Sequence, residues 1–280
     1  MTQFKVVGYQ TGKAHTTELV KALLTPFGGE LLPQYAFNTS LQEADLYVIS
    51  GILRGTGLVF QACVEQKRDF LYMDHAYFNK GYDHPTWMRI TKNRHTFGPT
   101  LINSSSARFD KHFASKYKMQ PWRGGQGKNI IVMPPTHAIS WLFRESGWEY
   151  NICNAISKFT KRPVIVRGKP NDPIVDYKGD LIRMDSTPDG IPLAEQLKDA
   201  YAVVVYNSNA ALECLQAGIP VICQNVCAAY PLSFELADLE TDRLANEPNR
   251  MQLFYDLANS QFTKDEMRQG TLPLEWLGKN

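Results

Sequence analysis

AVVVYNSNAALECLQAGIPVI, residues Ala202 to Ile222, changes its hydrophobic period in mid-course. Ala202 to Tyr206 is a short apolar, β-branched run, which reads as a buried strand. Ala210 to Ala217 has helical spacing and closes at Gly218, and a further strand follows over Pro220 to Cys223. Three hydrogen-bonding side chains, Asn207, Ser208 and Asn209, make the turn between strand and helix. Ser208 and Asn209 are suited to cap the helix, and free N–H groups at a helix start attract an anion. Ala210 and Ala211 are small enough to let a bulky ligand approach. Glu213, one turn on, can accept from vicinal hydroxyls such as those of a ribose. A capped helix with nothing bound accounts for the same residues.

The alternation extends in both directions. Phe4 to Gly8, Leu46 to Ser50 and Phe70 to Asp74 read as strands, with helices over Thr17 to Leu24 and Val59 to Gln66. Asn129 to Met133 begins a second series. It continues with a helix over Trp148 to Phe159, a strand over Pro163 to Arg167, a helix over Leu193 to Asp199 and then the opening stretch. Strands alternating with helices imply parallel sheets covered on both faces. Tyr77 to Lys128 breaks this rhythm, and the glycine-rich run Trp122 to Lys128 reads as a linker. The expected fold class is therefore α/β, with two facing Rossmann-like domains, 1–124 and 125–280, and ligands held in a central cleft at the strand ends.

Composition sets the outer bounds. The chain has 280 residues, of which 44% are hydrophobic and 21% charged, the balance of a globular protein with room for two cores. No apolar run reaches the roughly 20 residues of a membrane span, and MTQFKVVGYQ has no signal-peptide pattern, so a cytoplasmic location is expected. The five cysteines lack CxxC spacing and read as reduced thiols; Cys223 and Cys227 are four apart, with no histidine near them in sequence to complete a zinc site. Net charge is +2, but up to Lys128 there are sixteen Lys and Arg against nine Asp and Glu, and beyond it fourteen against nineteen. From His84 to Lys128 only Asp110 opposes the cations. Such a segment is either a solvated loop or a surface for a polyanion.

Ligands at strand ends direct attention to the strand exits. Gly8 to Thr16 is one residue short of a P-loop and has Ala14 where a magnesium-binding hydroxyl belongs. Gly12 still permits close approach of a substrate, and His15 lies beside it. Asp74 and His75 end the third strand, and a carboxylate there suits a general base. Arg167 and Lys169, after the strand ending at Val166, complement a diphosphate. Thr86 to Phe97, TWMRITKNRHTF, interleaves aromatic side chains with Arg89, Lys92, Arg94 and His95; Phe109, Tyr117 and Trp122 follow.

The run from Leu197 to Val221, with its strand, Asn-Ser-Asn turn, Glu213 and Gly218-Ile-Pro-Val221, resembles the donor segment of GT-B glycosyltransferases. It is most similar to the capsule-polysaccharide and Kdo-transferase-like branch and to bacteriophage relatives, with Asn129 to Gly270 carrying the likeness. The resemblance implies a nucleotide-sugar donor, such as a UDP-sugar, as co-substrate, with no metal or other cofactor required. Arg167, Lys169, Asn207, Ser208 and Asn209 would serve the diphosphate and Glu213 the ribose. Asp74 would deprotonate an acceptor hydroxyl for an inverting hexosyl or pentosyl transfer. Cations that neutralise phosphates and aromatics that receive an unstacked base point to DNA as acceptor, at a hydroxymethylated or modified base of phage DNA. Transfer to a capsular or other surface polysaccharide, and a non-catalytic nucleotide-sugar or nucleic-acid binding protein, are the alternatives.

Overall fold

A computed structural model describes residues 4–33, 37, 40–52, 56–79, 86–169 and 191–273. The chain forms two compact α/β units, residues 1–96 with 257–280, and residues 97–256.

The first unit is built on a six-stranded sheet in the order β10-β5-β4-β3-β1-β2. β1 (Val6–Tyr9), β2 (Glu30–Leu32), β3 (Leu46–Ser50) and β4 (Phe70–His75) run parallel. Helices α1 (Ala14–Leu24) and α2 (Thr56–Glu65) lie between them in the chain. β5 (Trp87–Lys92) then pairs antiparallel to β4, and β10 (Gln261–Thr263) antiparallel to β5. Strand alternation divides the two faces of the sheet. Val6, Val48, Leu71, Met73, Met88 and Ile90 share a core with Leu19, Val20 and Leu23 of α1 and with Met267 of α9 (Lys264–Gln269). Gly8 serves this packing, because a Cβ there would come within 2.8 Å of the Val20 side chain.

The second unit carries a four-stranded, wholly parallel sheet in the order β7-β6-β8-β9. Its strands are β6 (Asn129–Met133), β7 (Val164–Val166), β8 (Ala200–Val205) and β9 (Val221–Cys223). The near-continuous apolar runs of β6 and β8 follow from burial on both faces. α3 (Ala107–His112) precedes the sheet; α4 (His137–Phe143) and α5 (Trp148–Ile156) follow β6; α6 (Leu193–Leu197) precedes β8; α7 (Ala210–Gln216) joins β8 to β9. α8 (Arg250–Asn259) leads the chain back towards β10.

The division differs from that expected at residue 124. The glycine-rich run is packed backbone of the second unit. Trp122 Nε1 donates to the Leu244 carbonyl at 3.0 Å, and the Arg123 guanidinium donates to the Leu197 and Lys198 carbonyls. A Cβ on Gly127 would lie 2.4 Å from the Ala200 carbonyl oxygen. The glycines there admit a close backbone neighbour rather than supply a hinge. The C-terminal residues return to the first unit because β10 finds its hydrogen-bonding edge on β5.

Gly218 closes α7 at φ +80°, and the segment before the second sheet is built on it. Gln120 N–H donates to the Gln216 carbonyl and Arg123 N–H to that of Gly218, both at 2.8 Å. A Cβ on Gly218 would stand 2.0 Å from the Pro121 oxygen. Gly218→Ala combines a left-handed penalty of about 1–2 kcal/mol with this collision, so urea unfolding followed by intrinsic tryptophan fluorescence is expected to show a larger loss than that penalty alone. An unchanged midpoint would contradict this packing.

Candidate functional site

In the first unit, the register of β4 on β5 sets Asp74 directly opposite Arg89. Tyr72, two residues before Asp74, shares its face. Arg89 Nη2 and the Tyr72 hydroxyl each donate to Asp74 Oδ2 at 2.9 Å, and the His75 backbone N–H donates to Oδ1 at 2.8 Å. The side chains of Arg89 and Asp74 are 4% and 22% exposed. Arg89 also lies over the Tyr77 ring, and the His95 ring packs on Tyr72. Burial by itself would raise the Asp74 carboxyl, but Arg89, with smaller help from His95 and His75, holds it below the usual carboxylate range. Burial pushes His95 down to about 3, with Arg89 acting in the same direction, so its ring is neutral.

This geometry corrects several expectations. Asp74 is a bonded, ionised partner of a buried cation, a poor match for a group that must take up a proton near neutral pH. The inverting stereochemistry inferred from it loses its basis. Arg89 is buried, both ring nitrogens of half-buried His95 are covered, and Lys92 pairs with Asp69 at 3.4 Å, which leaves Arg94 as the exposed cation of that set. The neighbouring aromatics are packed too. Trp87, Phe97 and Phe109 are buried, and Trp122 stacks on Phe234. β5 is buried on both faces from Trp87 to Thr91, which covers Arg89 along with its apolar neighbours, and six strand-forming residues, WMRITK, were its sequence signal. His75 is half-buried at the end of β4; Gly12 and His15 lie in the loop after β1 and the first turn of α1.

In the second unit the chain leaves β6 towards β7 on one side, then crosses to β8 on the other. The carboxyl ends of β6 and β8 are therefore the switch point of that sheet, the usual ligand position in open parallel sheets. Asn207, Ser208 and Asn209 leave β8 there, and Arg167 and Lys169 leave β7 beside β6. Ser208 Oγ accepts from the Ala210 N–H at 3.2 Å, whereas Asn209 already has helical angles and its side chain forms no cap. Ser208 thus fulfils the capping expectation and Asn209 does not. Arg167 Nη1 donates to the Ile191 carbonyl and to Gln196 Oε1. Among the described residues, its Nε and Nη2 make no hydrogen bond. The buried Nδ2 of Asn207 likewise meets no acceptor there. Glu213 is exposed on α7 and Lys169 exposed after β7. Sequence reasoning passed over two other exits on this edge, Thr136-His137 after β6 and Gln224-Asn225 after β9. Asn225 bonds the Tyr206 phenol, and its N–H donates to the Tyr206 carbonyl at 2.9 Å. The signal was the same strand-end rule.

No family model and no curated sequence matches the chain. Among solved structures, the β-Kdo 2,7 transferase of Thermosulfurimonas dismutans KpsC aligns over 97% of this chain and 99% of its own, with 12% identity and a TM-score of 0.51. The fold is of the GT-B type. The β-Kdo 2,4 transferase of the same protein aligns over 92% and 91%, at 12% identity and a TM-score of 0.48. A Staphylococcus aureus MnaA–UDP structure aligns over 99% and 97%, at 10% identity and a TM-score of 0.32. In architecture the chain is thus similar to the KpsC β-Kdo 2,7 transferase.

The pairing of Asp74 with Arg89 has a measurable acid signature. Because its native carboxyl titrates below the unfolded value of roughly 3.9, its stabilisation is complete above that value and is lost as pH falls through the native one. Asp74→Asn leaves a buried guanidinium without its counter-charge, at a cost of about 3–5 kcal/mol in urea at pH 7, and flattens the acid limb. The double variant Asp74→Leu, Arg89→Met is expected to recover much of the loss. A single variant as stable as wild type would refute the assignment.

Proposed function

We propose that the chain is a glycosyltransferase that takes its sugar from a nucleotide-activated donor and passes it to a hydroxyl of a glycan. The observation that carries this reading is a pair of donors on the switch-point edge of the second sheet that meet no acceptor among the described residues. The Nε and Nη2 edge of Arg167 is the edge with which a guanidinium grips an oxyanion in two parallel bonds. A buried amide N–H without an acceptor, as on Asn207, costs roughly 1–3 kcal/mol, which a ligand oxygen would relieve. Lys169, Ser208 and the backbone around Asn209 bring further positive potential to that edge, and Glu213 is placed to accept from ribose hydroxyls. The full-length likeness in fold to a Kdo transferase supports the same class.

In the reaction, the bond from the anomeric carbon to the donor phosphate breaks as a bond to the acceptor oxygen forms. Arg167 and Lys169 stabilise the departing phosphate, and their gain is greatest as its charge develops. No metal is assigned a part in this step. The acceptor is placed among glycans because the residues that favoured DNA have other employment: Arg89 is buried, the His95 ring nitrogens are covered, and Phe109 and Trp122 are packed. Exposed Arg94, Lys111, Lys116 and Lys118 are compatible with an anionic glycan.

Titration with a panel of nucleotide sugars is expected to find one that binds. Arg167→Ala should weaken it by about 10–100-fold, the worth of a charge-assisted pair, with little change in unliganded stability. Mass spectrometry of glycan and hydroxymethylated-DNA acceptors after incubation with that donor then reads the transfer. A mass gain on DNA, with binding that collapses between low and moderate salt, would overturn the glycan assignment. A donor bound equally by wild type and Arg167→Ala would overturn the donor site.

A further inference from the structure

Cys223 ends β9, and Cys227 follows after an exposed Gln224 and half-buried Asn225 and Val226. Both thiols are buried, and Cys227 Sγ donates to Cys223 Sγ at 3.2 Å. A disulfide places its sulfurs about 2.05 Å apart, so closure needs an approach of about 1.1 Å. The other cysteines have different surroundings. Cys63 lies in α2 of the first unit, Cys153 is half-buried in α5, and Cys214 is buried in α7. Among the described residues, no group of three or more His, Cys, Asp or Glu side chains is placed to hold a metal ion, so the two thiols are not part of such a cluster.

We propose that Cys223 and Cys227 are a dithiol modification site that closes reversibly to an intramolecular disulfide on exchange with a low-molecular-weight disulfide such as oxidised glutathione. One cysteine, as thiolate, attacks a sulfur of oxidised glutathione, forming a mixed disulfide and expelling one glutathione thiolate. The second cysteine attacks the protein sulfur of that bond and expels the other. Two protein thiols are oxidised, one glutathione disulfide is reduced to two thiols, and the two protons pass to the departing glutathiolates.

The first step is slow. The hydrogen bond from Cys227 and burial raise the Cys223 thiol well above its ordinary range, so attack awaits opening of the Gln224–Val226 turn. The second step is intramolecular and follows as the turn closes again, because closure returns the two sulfurs to about their 3.2 Å separation. The Cys223 N–H donates to Ser233 Oγ at 2.8 Å, which holds the strand end while the turn moves. Closure also pulls on Asn225, and through it on Tyr206 and the Asn207 turn. This consequence for nucleotide binding rests on the donor site proposed above, whereas the thiol chemistry does not.

The test equilibrates the full chain for hours over a range of oxidised to reduced glutathione, traps free thiols with N-ethylmaleimide under denaturing conditions, and maps the tryptic peptide Asp199–Arg243, which holds Cys214, Cys223 and Cys227. The expected result is a species carrying one maleimide, on Cys214, with a mass about 2 Da below that of the same peptide with two free thiols, the two hydrogens lost. Cys214→Ser should form the same link. Three maleimides at every ratio, a link through Cys214, or accumulation of a stable glutathione adduct would overturn the site. Affinity for the donor found in the panel should differ at least threefold between the two forms. Equal affinity would overturn the coupling through Asn225. A chain that binds no nucleotide sugar would instead defeat the proposed function and leave the mass measurement to decide the dithiol.

Discussion

Parallel pairing of β6 with β8 is the constraint from which the second unit follows. Parallel neighbours cannot be joined by a tight turn, so each return of the chain must cross a face of the sheet, and every strand leaves by the same edge. Five paired positions fix the register, from Asn129 on Ala200 to Met133 on Val205, with one irregularity beside Asn129. Because β7 adds on one side and β9 on the other, the exits of β6 and β8 diverge. Polar side chains collect at that edge without any folding motif specific to a ligand. The core beneath is uniform, with Ile130, Val132, Ala202 and Val204 packed among Trp148, Ile152 and Phe234. The Asn-Ser-Asn turn is thus set on a rigid floor.

The first unit shows how the same chemistry acquires another meaning when pairing is antiparallel. β5 lies beside β4 because the chain reverses between them, and the register sets Arg89 against Asp74. Two ions removed from water require each other and further hydrogen bonds, which Tyr72 and the His75 N–H supply. Arg89 therefore reports on core construction, and the positive excess of the segment overstates the charge presented to solvent. Arg250 is a parallel case in the second unit. Its guanidinium is buried, donates to the Leu215 and Gln120 carbonyls, pairs with Glu247 and lies over Trp122. It ties the end of α7 to the segment ahead of the sheet.

What the sequence made legible was local and periodic. β3, β4, β6 and β8 were placed nearly to the residue because buried strands in parallel sheets are continuous apolar runs, and α7 because its spacing ends at a glycine with positive φ. That Arg167, Lys169 and Asn207 to Asn209 lie at strand exits was legible because exits can be read once strands are known. β5 was misread as a binding surface since its buried run includes an arginine, and only the partner strand reveals that this arginine is internal. β10 was invisible for a related reason. Its three residues carry no pattern of their own, and their state is decided by an edge some 170 positions earlier in the chain. The capping role of Asn209 failed on backbone angles that composition does not encode.

That distant pairing also governs the exit of β4. Gln261 of β10 is wholly buried, and its Oε1 accepts the N–H groups of both Tyr77 and Phe78 at 3.0 Å, while its Nε2 donates to the Phe78 carbonyl. One amide side chain thus satisfies three backbone groups of the turn after Asp74 and His75, groups that would otherwise be buried without partners. Glutamate at this position would retain the acceptors and lose the donor; leucine would lose both. The strand end at His75 and the turn after it are therefore fixed from two directions, by the Asp74–Arg89 pair within the sheet and by Gln261 from the returning chain. Their geometry depends on β10 pairing with β5, which brings a late segment of the chain into the construction of an early strand exit.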